Sequence, residues 1–433
     1  MTPSGWVTSS IADVAEGGLF VDGDWVESKD QDPTGSVRLT QLADVGIATF
    51  RDRSDRWMRP DQADRLRCTH LQAGDILIAR MPDPIGRACL VPSGLGVAVT
   101  AVDVAILRIV RSDVDPRFIM WAINSPRVHA DVVSHQAGTT RKRISRKNLA
   151  HLKVPLPPLD EQRRIVDVLE DHLSRLEAGI EQLRAAQRRN RSLRDAALRS
   201  ELLGRRWPGD RWPCDLPAAD VDDGVLSDLP AGWEWRRLQD VADVVGGITK
   251  DASKQGDPSF VEVPYLRVAN VQRGRLDLRT IARIRVPPAK LEQLRLEPGD
   301  VLLNEGGDRD KLGRGWVWAG EIEDCITQNH VFRARPRPGT LHPKLLSWAA
   351  NSLGGPWCER NGKQSVNLAS ISLKRIRLMP VPVPPLDAQP ELVQRLEDLH
   401  DRSARLDTVI EGQLARGAAL RRSLLASAFS GRL

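Results

Sequence analysis

Cysteine is scarce. There are five in 433 residues, an odd number, with no Cys-x-x-Cys. A disulfide framework and a zinc site are therefore not expected, and a reducing, cytoplasmic setting fits. No apolar run reaches bilayer-spanning length. The opening MTPSGWVTSS has neither a basic n-region nor an apolar h-region, so no secretory signal is expected. Several enzyme signatures are missing as well. No Gly-x-x-x-x-Gly-Lys-[Ser/Thr] loop occurs, which excludes an encoded ATP motor. All three Pro-Pro pairs follow Leu or Val, so there is no Asn-Pro-Pro-aromatic loop of an amino methyltransferase, and no Phe-x-Gly-x-Gly cofactor turn accompanies them.

What is present is one long periodic stretch, and then its copy. From Pro157-Pro158-Leu159-Asp160 to Gly204 there is no Pro beyond the opening pair, and one internal Gly. Leu169, Leu173, Leu176, Ile180 and Leu183 alternate steps of three and four, a heptad seam that predicts a helix of roughly 60 Å. Acidic residues open it and Gly204 supplies the stop. A helix this long and polar needs a partner. The partner begins at Pro384-Pro385-Leu386-Asp387, with an apolar row of Leu392, Leu396, Leu399, Leu406, Ile410, Leu414, Leu420 and Leu424. Gly431 lies as far beyond Gly204 as Pro384 lies beyond Pro157, so this is a duplication.

The globular stretches repeat in the same order, at nearly the same offset. Gly5-Trp6 is matched by Gly232-Trp233, and Gly74-Asp75 before an apolar strand by Gly299-Asp300. Asp115-Pro116 and His342-Pro343 each open a short helix ending in Asn-Ser. Val37–Val45 reads as a strand whose counterpart is Tyr265–Val271. Trp121 and Trp348 read as core residues. Each globular stretch closes with a Gly loop, Gly138–Ser145 and Gly362–Leu368, then alternating Val/Leu and Pro. The predicted plan is a mixed α/β (α+β) unit at 1–156, a long helix at 157–204, a linker at 205–231, a second unit at 232–383 and a second long helix at 384–433. The return of the chain predicts that the helices run antiparallel, with an internal pseudo-two-fold repeat.

At these residues the chain resembles the specificity subunit of type I restriction-modification systems. The carriers are the two Pro-Pro-Leu-Asp-x-Gln openings, the closing Gly-Arg at 204 and 431, and the two Gly-Asp turns, in one duplicated order over essentially the whole chain. One departure is Ala388-Gln389-Pro390, against Glu161-Gln162-Arg163, where Pro390 is expected to shorten or kink the second helix. The resemblance implies two target-recognition domains held by an antiparallel coiled coil, each reading half of a bipartite site in double-stranded DNA. It implies two methyltransferase subunits and restriction/translocase subunits as partners. S-adenosylmethionine, ATP and magnesium belong to those partners, none to this chain, and no membrane is involved.

Formal charge is +6, and its distribution is more telling than its sum. Arg141, Lys142 and Arg143 follow Gly138-Thr139-Thr140, and Lys363, Gln364 and Asn367 occupy the matching loop. All of these are candidate DNA contacts, because Arg and Lys neutralise phosphates while Arg, Asn and Gln read base edges. Arg80 and Arg87 in the first half, and Asn304 and Arg309 in the diverging second half, complete the candidate set. Arg188, Arg189, Arg191 and Arg194 read as a solvated or partner-binding helix face. Glu27-Ser28-Lys29, with Asp13 or Asp22 upstream, imitates a metal-dependent nuclease pattern and raises the alternative of a self-contained endonuclease. The tripeptide has no counterpart in the second half, so no catalytic or metal-binding residue is assigned.

Overall fold

A computed structural model describes residues 5–81, 84–138, 142–206, 209–251, 255–364 and 368–433. The chain forms two compact units, Met1–Arg184 with Ile410–Leu433, and Ala185–Val409. Each unit thus owns part of each long helix, Leu159–Leu202 and Gln389–Ala428.

In the first unit a four-stranded antiparallel sheet runs in the order Leu19–Asp22, Val104–Arg108, Ile76–Ala79, Ala88–Leu90. A smaller sheet places Val37–Thr40 between Trp57–Met58 and, in parallel, Ala98–Thr100. Val7–Ser10 pairs with Lys153–Leu156, so the start of the unit is sewn to the strand that leads into the long helix. The second unit repeats this scheme. Its four-stranded order is Ala242–Gly246, Val331–Pro336, Val301–Asn304, Gly315–Val317. Val261–Leu266 lies between Ala282–Val286 and Ile326–Thr327, and Glu234–Arg237 pairs with Pro380–Val383.

The duplicated motifs are polar locks. After each Gly-Asp turn, the buried carboxylate caps its own turn and grips an arginine on the neighbouring strand. Asp75 accepts from Gln72 N and holds Arg108 at 2.7–2.8 Å, while Asp300 accepts from Glu297 N and holds Arg335 at 2.7–2.9 Å. Asn124 exchanges hydrogen bonds with the Ala88 backbone, and Asn351 does the same with Gly315, tying each short helix end to a sheet edge. Gln162 is fully buried. Its oxygen accepts from Asp115 N and its amide donates to Asp113 O and Pro157 O. Gln389 makes the same three bonds with His342 N, Thr340 O and Pro384 O.

Ile165, Val166, Leu169 and Leu173 enter the core of the first unit with Phe118, Leu425 and Phe429. Phe118 and Phe429 meet edge-to-face at 5.2 Å. Leu198, Leu202, Leu392, Val393 and Leu396 enter that of the second, beside Trp348 and Trp357. Trp121 and Trp348 are core residues, as expected, and Trp121 also donates to Glu170. Gly204 takes φ +57°, with Arg205 N on Ser200 O and Gly204 N on Glu201 O, a Schellman stop. Pro390 shortens the second helix. It cannot donate to the carbonyl four residues back, so Leu386–Ala388 form a turn and the helix begins at Gln389.

In both units the paired helix segments run with opposite polarity. In the first, Arg421 pairs with Glu177 and Arg164 reaches Leu433 O. In the second, Asn190 donates to Ser403 O and Asp407 Oδ1 at 3.1 Å, and Arg395 lies 3.4 Å from Glu201. Two assigned seam residues require correction. Leu406 is 47% exposed and Leu420 51% exposed. With Ile410 and Leu414 in the seam, heptad steps lead to Asp407 and Gly417 instead. Asp407 is accepted because Asn190 faces it. Gly417 is accepted because Ile180 fills its place, where an added Cβ would sit 3.2 Å from Ile180 Cγ1. Leu169, Leu173, Ile410 and Leu396 are buried, and Leu176, Ile180, Leu183, Leu399 and Leu424 are half-buried.

Residues 205–231, read from sequence as a linker, are docked where described. Arg211–Trp212 pairs with Leu229–Pro230. Asp223 accepts from the buried Arg237 at 2.8 and 2.9 Å and from Trp357 Nε1 at 3.0 Å. These bonds have no period, so they left no pattern in the sequence. All five cysteines are free, and burial pushes the Cys89, Cys325 and Cys358 thiols up to about 12.

Two outcomes follow. Gln162→Ala orphans two carbonyls and an amide, and should cost about 2–4 kcal/mol in denaturant unfolding. Ile410→Ala should cost about 2–4 kcal/mol, while Leu420→Ala stays within about 0.5 kcal/mol. Equal costs at the two positions would reverse the seam assignment.

Candidate nucleic-acid interface

The Gly loops close as hairpins in both units. In the first, Ala137 and Arg143 exchange backbone hydrogen bonds, and the next residue, buried Ile144, donates its N–H to Arg80 O at 3.1 Å. Ser145 then caps the short helix Arg146–His151. In the second, Lys363–Gln364 pairs with Ala369–Ser370, which also pairs with Gly306–Gly307. Buried Ile371 donates to Glu305 O at 2.8 Å, and Ser372 caps Leu373–Ile376. One lock, a buried Ile amide on a strand-end carbonyl followed by a Ser cap, therefore projects a hairpin from the same place in each unit.

Lys142, Arg143, Lys147, Lys363, Gln364 and Lys374 are exposed on or beside these hairpins. Arg309 is exposed on the neighbouring turn Arg309–Lys311, with a long 3.5 Å contact to Glu359 O. Thr139, Thr140, Arg141 and Asn367 lie outside the described residues. The surviving set is cationic or carboxamide-bearing and free of apolar anchors, which suits phosphate contact.

Three candidates are corrected. Arg80 is buried, donating to Val102 O with its guanidinium 3.2 Å from Asp22. Arg87 is buried and donates to Val45 O, Leu42 O and Pro84 O. Asn304 is fully buried and donates to Val271 O at 2.9 Å and Val268 O at 3.4 Å. Donors spent on internal backbone cannot reach base edges. Residue type pointed to DNA here, but burial, which a single sequence does not reveal at such positions, decides otherwise. Arg188, Arg189 and Arg191 are exposed on the long helix, and Arg194 pairs with Asp195.

The nuclease-like residues are dispersed among other tasks. Glu27 is held by Lys29 at 2.7 Å, and that hydrogen bond keeps its carboxyl below the usual range. Asp13 caps a helix with Ser10. Asp22 meets Arg80 and Arg146. Among the described residues no group of three or more His, Cys, Asp or Glu side chains could hold a metal ion. No described helix is long and apolar enough to cross a membrane. The endonuclease alternative is not supported.

Comparisons with known proteins bear on the same residues. The family model described as the type I restriction modification DNA specificity domain matches twice, at 3–183 and 230–414. The EcoBI specificity subunit of Escherichia coli is 24% identical over 323 residues, 73% of this chain and 65% of that protein. The StySPI specificity subunit of Salmonella potsdam is 23% identical, over 74% of this chain and 66% of that protein. A putative type I restriction enzyme MjaX specificity subunit of Methanocaldococcus jannaschii is 24% identical over 43% of this chain and 44% of that protein. These alignments thus span from under half to about two thirds of the relatives' length. Among solved structures, a chain from work on complex assembly and conformational transition of the type I R-M system matches over its whole length with TM-score 0.74 and 21% identity. The HsdS subunit from Thermoanaerobacter tengcongensis gives 0.53 and 20%, covering all of this chain and 98% of that one. At such identity the likeness carries the fold, whereas the family match spans both halves of the sequence, and the chain belongs to the type I restriction modification DNA specificity domain family.

Proposed function

We propose that this chain is the non-catalytic DNA-recognition subunit of a type I restriction-modification complex acting in the cytoplasm. Each globular unit reads one half of a bipartite double-stranded target. The long helices act as an antiparallel coiled-coil spacer, related by a pseudo-two-fold axis, and as the docking scaffold for two methyltransferase subunits. Restriction/translocase subunits complete the assembly. S-adenosylmethionine, ATP and magnesium are supplied on those partners. One observation carries the reading: the same hairpin, held by the same Ile amide and Ser cap, stands in both units with different exposed residues. Two unlike readers on one repeated frame suit two unlike half-sites.

Methylation-sensitive sequencing of DNA from cells carrying the complete system should return a split motif with two dissimilar halves. A single contiguous motif would contradict the proposal. Purified alone, the chain should neither methylate nor cut DNA with magnesium present. The hairpin role is tested by Lys142→Ala with Arg143→Ala. DNA affinity should fall for all sequences alike, and the slope of log K against log salt should drop by about 2. An unchanged slope would remove these two side chains from the interface.

A further inference from the structure

Arg87 and Asn304, though buried, do one job in two units. Arg87 donates to the carbonyls of Leu42 and Val45, and Asn304 to those of Val268 and Val271. These carbonyl pairs have the same spacing, and each follows the central strand of the smaller sheet, Val37–Thr40 or Val261–Leu266. A second buried polar residue grips the same segment. Asp44 accepts from Gln41 N at 2.7 Å, Arg53 N at 2.6 Å and Ser54 N at 2.7 Å. Asn270 accepts from Arg267 N and donates to Asp277 O and Thr280 O, all at 2.9 Å. Each unit therefore carries one loop, 46–53 or 271–280, pinned twice from beneath.

The first loop is held in a costly shape. Ala48 and Asp52 have φ of +55° and +48°, the left-handed region that L side chains rarely adopt. Ala48 N donates to Ala88 O at 2.8 Å, which fixes the tip to the large sheet. The Arg51 side chain passes over Gly46, where a Cβ would come within 2.8 Å of its Nε. Ile47, Thr49, Arg51 and Arg53 face solvent. Neither guanidinium of Arg51 or Arg53 has a hydrogen bond or ion pair among the described residues.

The second loop is a hairpin, Val271–Gln272 against Arg275–Leu276. Arg273 is spent on Asn351 O and Asp310 O, and Arg279 is held bidentate by Asp277, whose carboxyl that contact lowers to about 2. Arg275 is exposed, with no hydrogen bond or ion pair from its side chain among the described residues. A cleft of about 270 Å³ is lined by Arg267, Asn270, Asp277 and Arg279, and Arg267 Nε is buried without a hydrogen-bond partner among the described residues.

We infer that these two loops are the corresponding base readers, with Arg51 and Arg53 addressing guanine in one half-site and Arg275 addressing guanine in the other. The inference rests on the DNA-recognition reading above and goes beyond it in naming the reading loops and the base. A base reader has to hold its donors in a fixed place, because discrimination comes from bidentate geometry rather than from charge alone. These loops are fixed by buried pins while their outward residues differ, whereas the basic hairpins supply charge. Arginine forks match guanine O6 and N7, the commonest specific contact in the major groove.

The test is selection from a randomised DNA duplex library by the full chain with its methyltransferase subunits. Wild type should return a bipartite motif containing guanine in both halves. Arg51→Ala and Arg53→Ala should each lose about ten-fold or more discrimination at a G·C position of one half-site, leaving the other half untouched. Arg275→Ala should relax the other half only. Arg51→Lys keeps the charge and loses the fork, so it should retain affinity while losing discrimination. These side chains are exposed, so misfolding does not confound the result, and the untouched half-site reports the fold internally. An intact motif in all variants, or uniformly weaker binding with unchanged sequence preference, overturns the loop assignment alone. A wild-type chain that selects no bipartite motif overturns the recognition reading itself.

Discussion

A buried carboxamide at the entry of each long helix is the point on which the structure turns. Gln162 and Gln389 each use both ends of the amide. The oxygen takes the free N–H at the start of a short helix, and the nitrogen bonds the loop before that helix and the proline carbonyl before the long one. A polar group this deep is costly unless saturated, and here it is saturated three times. Only a side chain with donor and acceptor on one short stem does this, which explains why the Pro-Pro-Leu-Asp-x-Gln repeat ends in Gln. The bond set fixes the exit direction of the long helix from its unit. Every residue further along the helix inherits that direction.

Once directed, the helices pack by a seam that is apolar only in part. In the first unit Leu169, Leu173 and Ile410 supply burial, and Gly417 admits Ile180. In the second unit Asn190 faces Asp407 and Ser403. A polar layer contributes less than a leucine layer would, but it has partners in one register alone, whereas leucines tolerate sliding by a heptad. The exposed Leu406 and Leu420 are the cost of reading such a seam by apolar residues. Leu406 sits next to the true position at Asp407 and Leu420 three residues beyond the one at Gly417, and both look like members of the row.

What the sequence made legible followed from repetition and period. The two long helices, the Gly-Asp turns, the paired short helices and the duplicated hairpins all stand where repeated residues place them, because repeated backbone geometry demands repeated residues. The docking of residues 205–231 was not legible, since Asp223, Arg237 and Trp357 are bonded across long separations without any period. Nor was the burial of Arg80, Arg87 and Asn304. An arginine in a loop reads as exposed by default, and its partners here are backbone carbonyls that every residue carries.

That last failure exposes how the two halves diverge. Arg87 and Asn304 stand at non-corresponding positions, yet each satisfies the same two carbonyls of its unit. Asp44 and Asn270 hold the same turn with different chemistry. Asp44 offers only acceptors and binds three amides, while Asn270 binds one amide and donates to two carbonyls. What must be preserved in each half is satisfaction of a buried backbone turn, and several residue types can provide it. The frame is thus kept by a physical constraint while the side chains on it are free to differ. Comparing the halves residue by residue hides this equivalence, and comparing which backbone groups are satisfied recovers it. A protein built from a duplicated unit can in this way place both loops alike while the side chains they carry differ.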